Sequence, residues 1–97
     1  MAPQHRVRFS GPTLRVLKYL IENARSPRCG ADIGKATGVR SGTLYPLLAR
    51  LEAAGWLIEE WEKVEPSKVG RPKKHLYRLT GEAQYEARKA LNELRLG

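Results

Sequence analysis

Apolar residues recur at helical spacing in four stretches of this chain, and two runs between the third and the fourth have the composition and partial alternation of strands. The first helix is predicted to be capped by Ser10 or Gly11. Pro12 suits its first turn, where the missing N–H costs nothing, and Leu14, Leu17, Ile21 and Ala24 form its apolar stripe. A second, short helix from about Gly30 to Thr37 is expected to bury Ile33 and Ala36 and to stop at Gly38. Ser41 is the expected N-cap of a third helix, since its hydroxyl can accept from the amides two or three residues on. At roughly 100° per residue, Leu44, Leu47, Leu48 and Leu51 of that helix share one arc, and Gly55 supplies a left-handed residue to end it. The opposite arc holds Gly42, Thr43, Pro46, Ala49, Arg50 and Ala53, small or polar apart from the arginine, with Tyr45 on the flank. A groove can accept such a face closely.

After Gly55, the run Trp56 to Val64 and the run His75 to Thr80 are predicted to pair antiparallel. Pro66, Gly70 and Pro72 break the chain between them, so Glu65 to Lys74 forms the turn of a long hairpin. A last helix starts near Gly81, capped by Thr80, with Ala83, Ala87, Ala90, Leu91 and Leu94 along one side as a stripe awaiting a partner. Three helices, a two-stranded β wing and a C-terminal helix make a mainly α (α+β) chain of winged helix-turn-helix type. Residues 1–9, polar and basic with Arg6 and Arg8, are expected to be a flexible arm, and residues 10–97 the domain.

Composition narrows the partner. Eighteen Lys and Arg against ten Asp and Glu give a net charge of +8, the footprint expected for a polyanion ligand. Ninety-seven residues suffice for one domain, burying roughly 60 to 70% of the surface of the unfolded chain. The single cysteine, Cys29, cannot form an internal disulfide and is read as a small packed thiol in an intracellular protein. No signal peptide is visible, and no apolar run approaches the roughly 20 residues that span a bilayer, so a soluble, cytoplasmic protein without membrane partners is expected. Neither a nucleophile constellation nor a metal-ligand set emerges, so neither catalysis nor a cofactor is expected. His5 and His75 lack partners in the sequence, and Glu59, Glu60 and Glu62 read as a solvated strand. Trp56 and Trp61 read as core or dimer packing ahead of ligand stacking.

Candidate contacts to double-stranded DNA fall in two groups. Arg40 and Ser41 start the third helix, and Thr43 and Tyr45 lie beside its N-terminus, where amides favour phosphate. Arg50 suits a guanine edge or a phosphate, with plain solvation as the competing reading, and Pro46 either touches a thymine methyl or shapes the backbone. The second group is the hairpin tip, where Lys68, Arg71, Lys73, Lys74 and Arg78 occur without an acid from Ser67 to Arg78, and His75 neighbours them.

Gly42-Thr43-Leu44-Tyr45-Pro46, the Leu-x-x-Leu-Glu-x-x-Gly of Leu48 to Gly55, Gly70-Arg71-Pro72-Lys73-Lys74 and Tyr77-Arg78-Leu79-Thr80 occur in that order. The ordered set resembles the PadR family of bacterial transcriptional regulators over roughly Pro12 to Leu91. That resemblance implies a homodimer on a near-palindromic operator, usually a repressor, with the third helix in the major groove and the wing at the minor groove or backbone. The chain departs from the family at Gly30-Ala31, where a Gly-Tyr pair is common, and at Ala83, where a glycine is usual. Its last helix of about 14 residues spans roughly 21 Å, so dimerisation is expected to recruit the first helix or the arm as well. Leu14, Leu17, Ala87, Leu91 and Leu94 are the residues assigned to that interface. No ligand pocket is carried over, so an effector stays undefined. The competing function is a winged-helix protein-interaction module with nonspecific nucleic-acid binding.

Overall fold

The helices begin and end where the chain supplies capping groups. In the computed structural model, which describes residues 9–96, α1 runs Gly11–Glu22 and the Ser10 hydroxyl accepts from the Thr13 amide at 3.3 Å. The arm expected over residues 1–9 lies outside the described residues except for Phe9, whose ring stands edge-on to Trp56 with centroids 5.9 Å apart. The buried face of α1 is Thr13, Val16, Leu17 and Leu20. It is rotated from the expected stripe because α2, α3 and α5 all pack on this helix. Leu14 and Ile21 are left half-buried, and Ala24 falls beyond the end of the helix.

A two-residue strand, β1 (Arg28–Cys29), follows and leads directly into α2 (Gly30–Thr37). Nothing in two residues carries a period, so the sequence reading missed it. Gly38 ends α2 in the left-handed region at φ 76°, its amide bonded to the Gly34 carbonyl at 2.9 Å. Ile33 is buried as expected, whereas Ala36 is exposed, since only one edge of this short helix meets α1 and α3.

α3 runs Ser41–Ala53, and its N-cap position belongs to Arg40 rather than Ser41. The extended Arg40 backbone lets its carbonyl accept from the Thr43 and Leu44 amides at 3.0 and 2.8 Å, so the helix opens without a side-chain cap and Ser41 is its first residue. Leu44, Leu47, Leu48 and Leu51 are all buried. The C-terminus closes with two bonds, Gly55 amide to Glu52 carbonyl at 3.0 Å and Trp56 amide to Leu51 carbonyl at 2.9 Å, with Gly55 at φ 80°. That pairing is the Schellman arrangement, which requires the left-handed glycine.

The wing comprises β2 (Leu57–Trp61), a single turn α4 (Pro66–Val69) and β3 (His75–Leu79). β3 is central in an antiparallel sheet of order β1-β3-β2, with Leu57 opposite Leu79 and Trp61 opposite His75. The turn is therefore partly helical and the sheet has three strands, where a simple two-stranded hairpin is expected. α5 (Gly81–Leu96) is capped by the Thr80 hydroxyl, which accepts from the Ala83 amide at 3.1 Å.

One apolar core joins these elements: Val16, Leu17 and Leu20 of α1, Ile33, Val39, the four α3 leucines, Trp56, Leu57, Leu79, Ala83 and Ala87. Leu17 and Ala87 are both 0% exposed, which corrects their assignment to an interface between chains. The contact of α1 with α5 consumes them within one chain. Truncating a fully enclosed α3 leucine, as in Leu48→Ala, is expected to cost about 2 to 5 kcal/mol. Urea unfolding followed by circular dichroism should show a lower midpoint with an unchanged slope.

Candidate nucleic-acid interface

Burying the leucine arc of α3 turns the opposite arc to solvent. Gly42, Thr43, Pro46, Ala49, Arg50 and Ala53 are all exposed, as are Arg40 and Ser41 at the start of the helix. Pro46 has no N–H to offer the Gly42 carbonyl, a loss that solvent makes good because both residues are exposed. The result is a helix face with few long side chains, rimmed by Arg40 at one end and Arg50 beyond the middle. Backbone can approach a duplex closely along it.

Tyr45, 48% exposed, is fixed from beneath by Gly30. A β-carbon built on Gly30 would lie 2.6 Å from the Tyr45 hydroxyl oxygen and 2.7 Å from a ring carbon. The first residue of α2 is thus bare so that this ring can lie across it. The sequence reading, which set Tyr45 on the flank of the helix beside its N-terminus, missed the contact; the signal available was only an unexplained glycine directly after Cys29. Gly34 is nearly as close to α3, its built β-carbon 3.2 Å from Leu44, which is how the two helices meet tightly around the Gly38 turn.

The wing differs from a plain basic tip. Glu62, just past β2, receives both terminal nitrogens of Arg71, Nη1 donating to Oε1 at 2.6 Å and Nη2 to Oε2 at 3.0 Å. The Lys74 amide also donates to Glu62 Oε1 at 3.3 Å. The Arg71 hydrogen bonds, followed by that of the Lys74 amide, hold the Glu62 carboxyl down at about 2. Lys68 pairs with Glu65 at 3.6 Å and Arg78 with Glu60 at 3.9 Å. Lys73 and Lys74 are exposed and make no ion pair among the described residues.

His75 is also partnered: its Nδ1 meets Glu59 Oε1, and its ring tilts against Trp61 with centroids 3.7 Å apart. Trp61 is 58% exposed, whereas Trp56 is buried in the core. The Glu52 carboxyl of α3 is raised above its usual range, first by hydrogen bonding with the neighbouring Glu59 carboxyl and then by burial. Tyr77 on the same face is pushed up by burial and then by Glu59 and Glu52. The acidic run read as solvated is therefore the counter-ion of the basic strand. Opposite charges on two runs predicted to pair were the available signal, but using it requires the strand register.

These features define a winged-helix DNA-binding domain. Residues 19–89 match the PadR-like family of transcriptional regulators, and the chain belongs to that family, whose members are transcription factors rather than enzymes. Among solved structures it is similar to a PadR-like transcription factor from Bacteroides fragilis, at 25% identity over 86% of this chain and 79% of that one, TM-score 0.68. The fold also matches smu.1704 from Streptococcus mutans UA159, at 21% identity over 93% and 85% of the two chains, TM-score 0.69. A third match is the adhesin competence repressor of Streptococcus pyogenes, 15% identical over 95% of this chain and 61% of that one, TM-score 0.68. No curated protein sequence is significantly similar to the chain. Among the described residues no helix is long and apolar enough to cross a membrane, and no group of three or more His, Cys, Asp or Glu residues could hold a metal ion.

Two outcomes follow from this geometry. Gly30→Ala should displace the half-exposed Tyr45 ring at a cost of about 0.5 to 1.5 kcal/mol, and most of that cost should vanish in a Tyr45→Ala background, as a double-mutant cycle in urea would read. The depressed Glu62 carboxyl adds stability that is fully present above its unfolded value near 4.5 and is lost as pH falls towards 2. Acid unfolding of Glu62→Gln should lack that component, seen as a shallower pH dependence of the melting temperature in this window.

Proposed function

We propose that the chain is a homodimeric, sequence-specific repressor that occupies a near-palindromic operator, with α3 in the major groove and the wing against the flanking backbone. The observation that carries this reading is the exposed arc of α3, whose small residues leave room for base edges while its leucines fix the helix from behind. Thr43 and Tyr45 sit at the N-terminal end that approaches the duplex, and Arg50 reaches a guanine edge or a phosphate. Lys73 and Lys74 neutralise phosphates without regard to sequence. The setting is a bacterial cytoplasm, in keeping with the family and with a lone reduced Cys29.

A second chain supplies the second half-site. Leu14 and Leu91 stay half-buried on α1 and α5, and Lys18, Ile21, Glu22, Arg88, Leu91 and Asn92 line a groove of about 280 Å³ between these helices. That surface is the proposed dimer contact, in place of Leu17 and Ala87. The side chain of Leu94, assigned to the same contact, lies outside the described residues. Two recognition helices then reach successive major grooves about 34 to 36 Å apart.

Selection of bound sequences from a random duplex pool tests this directly: an enriched inverted repeat is expected. Salt-dependent binding to every duplex without enrichment would leave the interaction-module reading, for which exposed Trp61 offers a protein contact. Lys73→Ala and Lys74→Ala should weaken binding to all sequences alike, whereas Thr43→Ala should change the preference among them. For a dimer neutralising about 6 to 10 phosphates, affinity should fall roughly 10³- to 10⁵-fold from 50 to 200 mM salt.

A further inference from the structure

The wing holds five Lys and Arg residues between Ser67 and Arg78, yet it does not offer five charges. Lys68 and Arg78 pair through single contacts of 3.6 and 3.9 Å, at the solvent surface, and such pairs yield readily to a competing anion. Arg71 is held differently. Its two terminal nitrogens grip the two oxygens of Glu62 in a fork geometry, Nη1 also donates to the Pro72 carbonyl at 3.2 Å, and both side chains are partly shielded. Most of its donor capacity is spent inside the wing. Glu62 in turn is anchored at the outer end of the strand pair, where the turn begins, its amide bonded to the Lys74 carbonyl at 2.9 Å and its carboxylate accepting from the Lys74 amide.

We propose that Glu62 determines how much of the wing's charge a duplex receives, its carboxylate occupying Arg71 in place of a DNA phosphate and leaving Lys73 and Lys74 to make the backbone contacts. The proposal rests on the DNA-binding reading above and assigns it a specificity-determining residue that touches no base. Backbone contacts add affinity for every sequence, so withholding one lowers the nonspecific background against which an operator is distinguished. The carboxylate stays ionised throughout the physiological range, so the restraint is permanent.

The test compares wild type, Glu62→Gln, Arg71→Ala and the double variant, each binding a mixed-sequence duplex and the best duplex from the selection, over a series of salt concentrations. Glu62→Gln keeps the size of the side chain and an oxygen for the Lys74 amide but removes the charge. It should bind the mixed-sequence duplex more tightly, steepen the slope of log K against log salt by about 0.9 per chain, and narrow the ratio between the two duplexes. Arg71→Ala alone uncovers the Glu62 carboxylate and should weaken binding and flatten the slope, whereas the double variant, neutral at both positions, should return to the wild-type slope. A merely structural role for Glu62 predicts weaker binding instead. An unchanged or flatter slope in Glu62→Gln, or a flatter slope in the double variant than in wild type, would overturn the proposal, the second by showing that Arg71 already meets a phosphate. Should Glu62→Gln lose its folded circular-dichroism spectrum, the double variant decides, a slope equal to that of wild type being expected and a flatter one overturning the proposal. If folded wild type binds neither duplex at low salt, the DNA-binding reading falls as well.

Discussion

Everything the chain presents to a partner depends on four leucines lying on one side of α3. Leu44, Leu47, Leu48 and Leu51 are at most 2% exposed, and burying each contributes about 1.5 to 3 kcal/mol against leaving it in water. They meet α1, α2 and the start of the wing together, so the helix cannot roll about its axis without exposing several of them at once. The small outer face is therefore a consequence of the core. Gly34 and Val39 complete the constraint, one by letting Leu44 come close and the other by filling the turn between the helices.

Long, strongly patterned elements could be read from the residues alone. The bounds of α2, the leucine arc of α3, the Gly55 stop and the antiparallel wing follow from period, capping and turn chemistry. What escaped reading was short or depended on neighbours. β1 and α4 have too few residues to show a period. Leu17 and Ala87 form parts of amphipathic stripes, and a stripe says that a face will be covered without saying by which chain. Here α1 and α5 cover each other. Ala36 errs in the other direction, since an eight-residue helix meets its neighbours along a narrow edge.

The candidate site was legible in its composition and less so in its charge balance. Arg40, Thr43, Tyr45, Pro46 and Arg50 occupy exposed positions on or beside α3, as helical spacing implies. The wing looks like a block of cations in linear order, but folding lays Glu59, Glu60 and Glu62 alongside it. Charge pairing in a hairpin is a property of register, which composition does not contain. A net charge of +8 is thus a poor measure of how much positive charge stands free at the tip.

The junction between α3 and the wing has a mechanical meaning. Only Ala54, Gly55 and Trp56 separate the helix from β2, two hydrogen bonds lock that corner, and the Trp56 carbonyl accepts from the Thr80 amide at 3.0 Å. With Trp56 itself in the core, helix and hairpin behave as the two jaws of a fixed calliper rather than as parts joined by a hinge. A rigid gauge cannot adapt to the object it measures, so the work of fitting falls on the DNA. Under the proposed function, steps that bend or compress easily would be favoured even at positions no side chain touches, and the stiffness of the double helix would become part of what the protein recognises.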